Sequence, residues 1–466
     1  MAKMDRVPLV VGTMCTVVTA WTLCSPATAD GAYREGVFGA IAASPASDAE
    51  RLAVVDLARY LAQVSGGVPE ALSLEEWQKH PRPAVLCGTP VDSDLIRSVM
   101  PQGASLGDEG YCLANAAIDG TRVAVAAGAT SRGAVNAVYG LLRELGFAFY
   151  LGSEDIPDAL PVRLPRSPVV RQPGLRIRGV LPWYNFMNSP TTWDPIDHRA
   201  FVDQLIRMGA NFVGFHTYDS EPFAAYEEDG EMKWGGRLLN TNTGSWGTAA
   251  VPVDEFAGGT DRCFGRDGFG AETTFLGVSP RDAILREQAV MRDALDYAHR
   301  RGLHTCIGFE MNGDPTLPQF REAFCKRLEW VLQVYPSVDF VWLWQSETQG
   351  AQGFTTQYNT HILPYGLGPS SALPWYGAEW RADFARIVER TRGERPFFQD
   401  SAAGKRARAA EGARLELFAS LALRVVSRHE RAPRLVISGW GCIQDGVYIT
   451  RPGGGVLGPS SRPIGR

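Results

Sequence analysis

The sequence predicts two α/β domains in series: a small N-terminal one, then a (β/α) domain of the TIM-barrel type that is incomplete at its C-terminal end. Three observations carry this expectation. Strand-like apolar runs alternate with helix-spaced runs from Gly36 to Gly146 and again from Leu175 onward, the pattern of parallel strands joined by helical crossovers. A proline-rich joint with Pro157, Pro161, Pro165, Pro168 and Pro173 separates the two stretches, and proline stiffens a chain without building a core. In the second stretch polar and aromatic residues gather after each strand rather than in one glycine-rich turn, which favours a barrel over a doubly wound sheet.

The chain opens on a segment with the features of an export signal. Lys3 and Arg6 precede an apolar run from Val7 to Trp21, and Ala27-Thr28-Ala29 offers a small-residue cleavage site. Residues 1–29 are therefore expected to be a signal peptide and the mature protein to be secreted or periplasmic. In the first domain, residues 30–152, Val37 to Ala43 reads as a short apolar run. Ser47 with Glu50 three positions on reads as a capping box, and Leu52, Val55, Leu57, Ala58, Leu61 and Val64 follow at helical spacing until Gly66-Gly67. Ala84 to Gly88 reads as a buried strand and Asp92 to Val99 as a short helix. Tyr111 to Ala114 and Val123 to Ala127 read as two strands joined through Asp119-Gly120, a hairpin signal. Ser131 to Leu145 reads as a helix stopped by Gly146.

Residues 153–174 are expected to be a semi-rigid linker and 175–441 a partial barrel. Its strands are expected at Leu175 to Val180, Asn211 to His216, Leu303 to Phe309, Val338 to Trp344 and Leu435 to Ser438, with helices at His198 to Met208, Asp282 to Arg301, Leu317 to Val334 and Leu415 to Arg428. That is five strands, where a closed barrel has eight. The segment from Asp219 to Val278 is too long for an ordinary barrel connection and contains a hairpin signal about Glu228-Asp229-Gly230. It is read either as a lid or as a decorative loop. Residues 442–466 are rich in Gly and Pro without helical or strand period and are expected to be an irregular tail, as if the chain were truncated or frame-shifted near Gly441, or else the barrel were closed by partners.

Charge and cysteine usage exclude several classes of function. With 46 basic and 51 acidic residues the chain carries a net charge of −5. Nothing basic enough for nucleic acid or an anionic membrane is present, and no later segment approaches the roughly 20 apolar residues of a span. Of eight cysteines, Cys15 and Cys24 fall in the signal. Cys87, Cys112, Cys306 and Cys325 sit in apolar patterns, Cys263 in a loop and Cys442 at the start of the tail, with no C-x-x-C spacing, so buried free thiols are expected. The seven histidines show no ligand-like spacing, and no nucleophile elbow, P-loop or dinucleotide fingerprint stands after a strand. No metal or cofactor is expected.

The first domain also carries a family resemblance. Asp108-Glu109-Gly110-Tyr111, Gly120-Thr121-Arg122-Val123-Ala124-Val125, Gly128-Ala129, the run from Gly133 to Leu142 and Leu145-Gly146 resemble the N-terminal domain of bacterial α-glucuronidases (glycoside hydrolase family 67) and β-hexosaminidases (family 20). The match covers about residues 36 to 152. In those families the domain holds no catalytic residue and precedes a catalytic (β/α)8 barrel, so the resemblance implies a glycosidase.

Glycosidic bonds are commonly cut by two carboxyl groups, one protonated and one ionised, and an apolar surround raises the acid's pKa. Glu347 follows the aromatic strand Phe340-Val-Trp-Leu-Trp344 and is the candidate general acid; otherwise it is a carboxylate held by backbone or arginine. Glu310, ending the preceding strand, is read as the second carboxylate or a substrate contact, or else as structural. Asp219 could bind a sugar hydroxyl. Trp183, Trp344, Trp375 and Trp440 could stack on sugar faces, although a single Trp is more often core. By resemblance to family 20, Arg178 would grip sugar hydroxyls, or a uronic carboxylate, against the alternative of a structural ion pair, and Asn211, His216 and Asp219 would form a sugar-contacting rim. Family 20 has an aspartate directly before its acid glutamate, and here that place is Ser346. This disfavours acetamido-assisted hydrolysis and leaves an α-glucuronidase-like plan. The alternatives are a non-catalytic carbohydrate-binding protein and a polysaccharide lyase.

Overall fold

The computed structural model describes residues 37–100, 106–160, 168–182, 193–217, 222–233, 279–310, 318–345, 418–439, 448–450 and 456–457. The expected signal segment, residues 1–29, lies outside them. Two sheets organise these residues. The first has strand order β2-β1-β3-β5-β4-β8, with β1 Ala40–Ala43, β2 Glu70–Leu72, β3 Ala84–Gly88, β4 Tyr111–Ile118, β5 Thr121–Gly128 and β8 Val169–Arg171. Strands β2, β1, β3 and β5 run parallel, and β4 is antiparallel to both β5 and β8.

Helices α1 Asp48–Ser65 and α4 Ser131–Glu144 cover one face of this sheet. The short helices α2 Leu74–Lys79 and α3 Asp94–Val99 cover the other, where Trp77 and Ile96 are buried. The local chemistry explains the boundaries. Asp119 and Gly120 take positive φ of 48° and 79°, as the two-residue hairpin requires. Gly140 lies mid-helix because a Cβ there would fall 2.5 Å from the Tyr111 ring. The capping box at Ser47 is half realised: Ser47 Oγ accepts from Glu50 N at 3.2 Å, but the Glu50 carboxylate takes the Ala46 amide instead. A full box stands at Ser73 and Glu76, starting a helix absent from the sequence reading.

The proline-rich joint is more structured than a linker. Glu154–Asp155 forms β7 against β6 Ala148–Phe149, and β8 returns to edge the first sheet. Proline at a sheet edge removes no ladder bond, so a proline-rich segment can still supply one.

The second sheet has order β17-β16-β15-β14-β13-β10-β9. Its parallel part comprises β9 Gly179–Val180, β10 Phe212–Thr217, β13 His304–Glu310, β14 Phe340–Gln345 and β15 Arg434–Gly439, neighbours in space in their chain order as in a barrel. Helices α5 Pro195–Arg207, α6 Pro280–Arg300 and α7 Pro318–Val334 pack outside them. All five expected strands have a counterpart, but the one expected from Leu175 to Val180 is reduced to Gly179–Val180. The tail expected to be irregular carries two strands: β16 Tyr448–Thr450 pairs antiparallel with β15, and β17 Val456–Leu457 pairs antiparallel with β16. Three-residue and two-residue strands are too short to show a period in sequence.

Side chains alternate along the parallel strands. Val213, Phe215, Ile307, Phe309, Val341, Leu343 and Leu435 face the helices in a core that runs on into the first domain. Phe212, Cys306, Phe340, Val436 and Trp342 form a separate cluster on the inner face. Among the described residues no helix is long and apolar enough to cross a membrane. Cys87, Cys112, Cys306 and Cys325 are free thiols, and burial pushes Cys87 up to about 12, so it stays protonated and inert.

Candidate active site at the strand ends

The inner face of the parallel sheet fixes which residues can share a site. His216 on β10 has the parity of Phe212, Glu310 on β13 that of Cys306, and Trp344 on β14 that of Phe340 and Trp342. Register brings them together at the C-terminal ends: His216 pairs with Gly308, Glu310 with Trp344, and Trp344 with Ser438. The His216 ring stands edge-on to Trp344 with centroids 5.6 Å apart, and Trp342 and Trp344 lie 5.9 Å apart.

Glycine makes this arrangement possible. A Cβ on Gly308 would meet Trp342 O at 2.9 Å and His216 Nδ1 at 3.4 Å, and one on Gly214 would meet Leu181 Cδ1 at 2.4 Å. Both glycines interrupt apolar strand patterns, a signal of close approach that marks them in the sequence. Behind the site, Thr217 Oγ1 donates to Gly308 O at 3.0 Å and ties β10 to β13 just below Glu310.

Glu310 is buried, with 9% of its surface exposed, while Trp344 is half-buried. A buried carboxyl at the C-terminal end of a parallel strand, in register with an indole, suits proton transfer. His216 is fully buried. Its ring packs against Trp344. Glu347 lies two positions past the end of β14 and, like Trp183, Asp219, Trp375 and Trp440, falls outside the described residues.

Arg178 and Asn211 are placed elsewhere. They stand at the N-terminal ends of β9 and β10, separated from Glu310 by the length of a six-residue strand, roughly 20 Å. Arg178 donates to the Glu109 carboxylate of the first domain, to Gly209 O at 3.0 Å and to Leu175 O at 2.6 Å. Asn211 Nδ2 donates to Glu109 Oε1 at 2.8 Å, and its Oδ1 accepts from Arg178 N at 2.7 Å. Burial alone would raise the Glu109 pKa; the bonds from Arg178 and Asn211 and the charges of Arg178 and Arg132 outweigh it and hold the carboxyl below its ordinary range. Arg178 thus makes an ion pair with Glu109, the alternative that its sequence position leaves open. Parallel strands expose polar residues at both ends, and only the chain's direction through the sheet tells them apart.

Among the described residues no group of three His, Cys, Asp or Glu could hold a metal ion. No protein-family model matches the chain, and no curated protein matches its sequence. Solved structures similar to it include a GH138 enzyme targeting pectin rhamnogalacturonan II, at 11% identity and TM-score 0.38, covering 66% of this chain. This chain spans 30% of that one. The GH20 β-N-acetylhexosaminidase from Streptomyces coelicolor A3(2) is similar at 13% identity and TM-score 0.41, covering 87% of this chain and 71% of its own. A mutant Streptomyces plicatus β-hexosaminidase in complex with the product GlcNAc gives 12% identity and TM-score 0.40, with 86% and 70% covered.

Proposed function

We propose that the chain is an exported glycoside hydrolase, α-glucuronidase-like in plan, that removes sugar from the end of a poly- or oligosaccharide. The observation that carries this reading is the placement of Glu310 on the inner face at a parallel strand end, in register with half-buried Trp344 and beside the strand that leads to Glu347. Trp344 is the sugar platform, Glu347 the general acid, and Glu310 the second carboxylate that activates water or steadies developing positive charge on the sugar. Ser346 before Glu347 argues against assistance from a substrate acetamido group, as the family resemblance implies. The resemblance of residues 36–152 and the leader at 1–29 support export and the accessory role of the first domain.

Glu347→Gln removes the proton donor with little change of shape, so sugar release should stop while oligosaccharide binding persists. Unchanged turnover in that variant removes Glu347 from its role. Oligosaccharide binding by the wild type with no product across a glycoside panel would replace hydrolysis by simple binding, and an ultraviolet-absorbing unsaturated product would replace it by elimination.

A further inference from the structure

After β10 the described chain resumes in a turn, 222–225, that leads into a hairpin of β11 Tyr226–Glu228 and β12 Glu231–Lys233. All four carbonyls of this turn accept from buried side chains on α6, on α7 or just after it. Gln288 on α6 gives its amide to Pro222 O at 2.9 Å and to Ala225 O at 2.8 Å. Arg327 Nε on α7 donates to Ala224 O at 2.8 Å, and the Tyr335 hydroxyl just beyond α7 donates to Phe223 O at 2.7 Å. Trp330 Nε1 donates to Gln288 Oε1 at 3.2 Å and holds that amide in place. Gln288, Arg327 and Tyr335 are at most 2% exposed, and Phe223, Ala224, Ala225 and Tyr226 at most 4%.

A buried carbonyl without a donor is costly, so these three side chains determine where the turn can lie. Arg327 does more than donate: its guanidinium lies 4.6 Å over the Phe309 ring, and Phe309 is the residue before Glu310. Outside the turn, Arg281 bonds Glu227 at 2.7 Å and Lys326 pairs with Glu228, fastening the hairpin to α6 and α7. This part of the long insertion therefore packs on the helices, contrary to a lid over the strand ends.

We propose that Gln288, Arg327 and Tyr335 are positioning residues: they clamp the 222–225 turn against the back of β13 and so hold Glu310 in place, making this stretch a fixed wall. The catalytic consequence rests on the glycosidase reading of Glu310; the clamp itself does not. The test combines amide hydrogen exchange on the full chain with steady-state kinetics on a cleaved oligosaccharide, for Tyr335→Phe, Gln288→Met and Arg327→Lys. Tyr335→Phe removes a single oxygen and is the mildest of the three. Arg327→Lys keeps the charge but loses the planar fork that lies on a ring while donating sideways. Exchange of the Ala225 amide and its neighbours is expected to rise about tenfold, the factor that one lost buried hydrogen bond corresponds to, with the α6 interior unchanged. The turnover number should fall about tenfold at nearly constant KM, the mark of a group acting through the transition state. Unchanged exchange over 223–226 in all three variants overturns the clamp, and faster exchange with wild-type turnover overturns the positioning of Glu310. A wild-type chain that cleaves no glycoside sinks the glycosidase reading instead, and the exchange comparison then decides the clamp alone.

Discussion

At one end of β10 Asn211 bonds Glu109 and the Arg178 backbone; five residues later, at the other end, His216 stands edge-on to Trp344. The lower end is an assembly of matched charges that fastens the first domain beneath the barrel. Arg132 adds to it by bonding Glu109 and Asn211 O. Nearby, Arg301 reaches Asp56 at 2.8 Å, Tyr139 at 2.8 Å and Asp203 at 2.9 Å, joining α1 and α4 to α5. The upper end is different: a carboxyl among indoles, on glycine-thinned strands. Polar residues at the lower strand ends are thus claimed by partners in the first sheet's layer, whereas the proposed chemistry lies at the upper ends.

The sharpest way to break this contrast is to remove one carboxyl from each end. Glu310→Gln should lower turnover by about 10²–10⁴-fold, the usual range for a general acid or base, with the melting temperature nearly unchanged. A variant that keeps full turnover would make the upper end structural too. Asp56→Ala should act the other way, by taking from buried Arg301 and Arg207 one of the two carboxylates they share and leaving them Asp203 alone in common. Breaking a buried pair costs about 3–5 kcal/mol, so chemical denaturation should shift strongly while turnover of the folded fraction stays near wild type. A small shift there would mean that the network is hydrated and weak.

Much of the fold was legible because it rests on local signals. Asp119-Gly120, Gly66 and the apolar runs of β13 and β14 carried their elements directly. The strands of 448–457 and the returning β8 were not legible, since two or three residues show no period and proline masks an edge strand. The strand-end positions of Glu310 and Trp344 could be read from the apolar runs that contain or precede them. Arg178 and Asn211 misled because a sequence shows that a polar residue borders a strand, but the partner that claims it, Glu109, lies in another domain. The same limit hid Gln288, Arg327 and Tyr335, whose role exists only through carbonyls more than sixty positions upstream.

His198 sharpens the comparison through pH. It is buried on α5 between Trp193 and Phe215, and Asp194 O lies 3.0 Å from its Nδ1. Burial lowers its pKa from 6.5 to about 4, against the smaller raising effects of the Asp194 carbonyl and nearby carboxylates. Between those values the unfolded chain takes up a proton that the folded chain refuses. Stability fully present above pH 6.5 is therefore lost as pH falls toward 4, by about 3 kcal/mol at most. Asp56 and Asp339 act lower still. Burial raises both, but Arg301, Tyr139 and Arg207 around Asp56, and His299, His304 and Thr305 N around Asp339, outweigh it, so their contributions fade only below their ordinary carboxylate range. Denaturation of wild type and His198→Phe at pH 7, 6, 5 and 4.5 reads the slope independently of any constant offset. Equal slopes would assign the acid loss elsewhere.

The smallest effect tests the lower end most directly. Glu109→Gln keeps an acceptor for Asn211 but removes the negative charge facing Arg178 and Arg132, both partly shielded from water. A hydrogen bond to a charged group contributes about 1.5–3 kcal/mol, and partial solvation of this site puts the expected loss at the lower bound. If Arg178 serves only to join the domains, the same loss should appear in Arg178→Lys, and the double variant should lose less than the sum, because both changes remove one interaction. KM for any glycoside should not move in either, since the pair lies a full strand length from Glu310. A KM raised tenfold by Arg178→Lys but untouched by Glu109→Gln would return that arginine to the substrate and dissolve the division between the two ends.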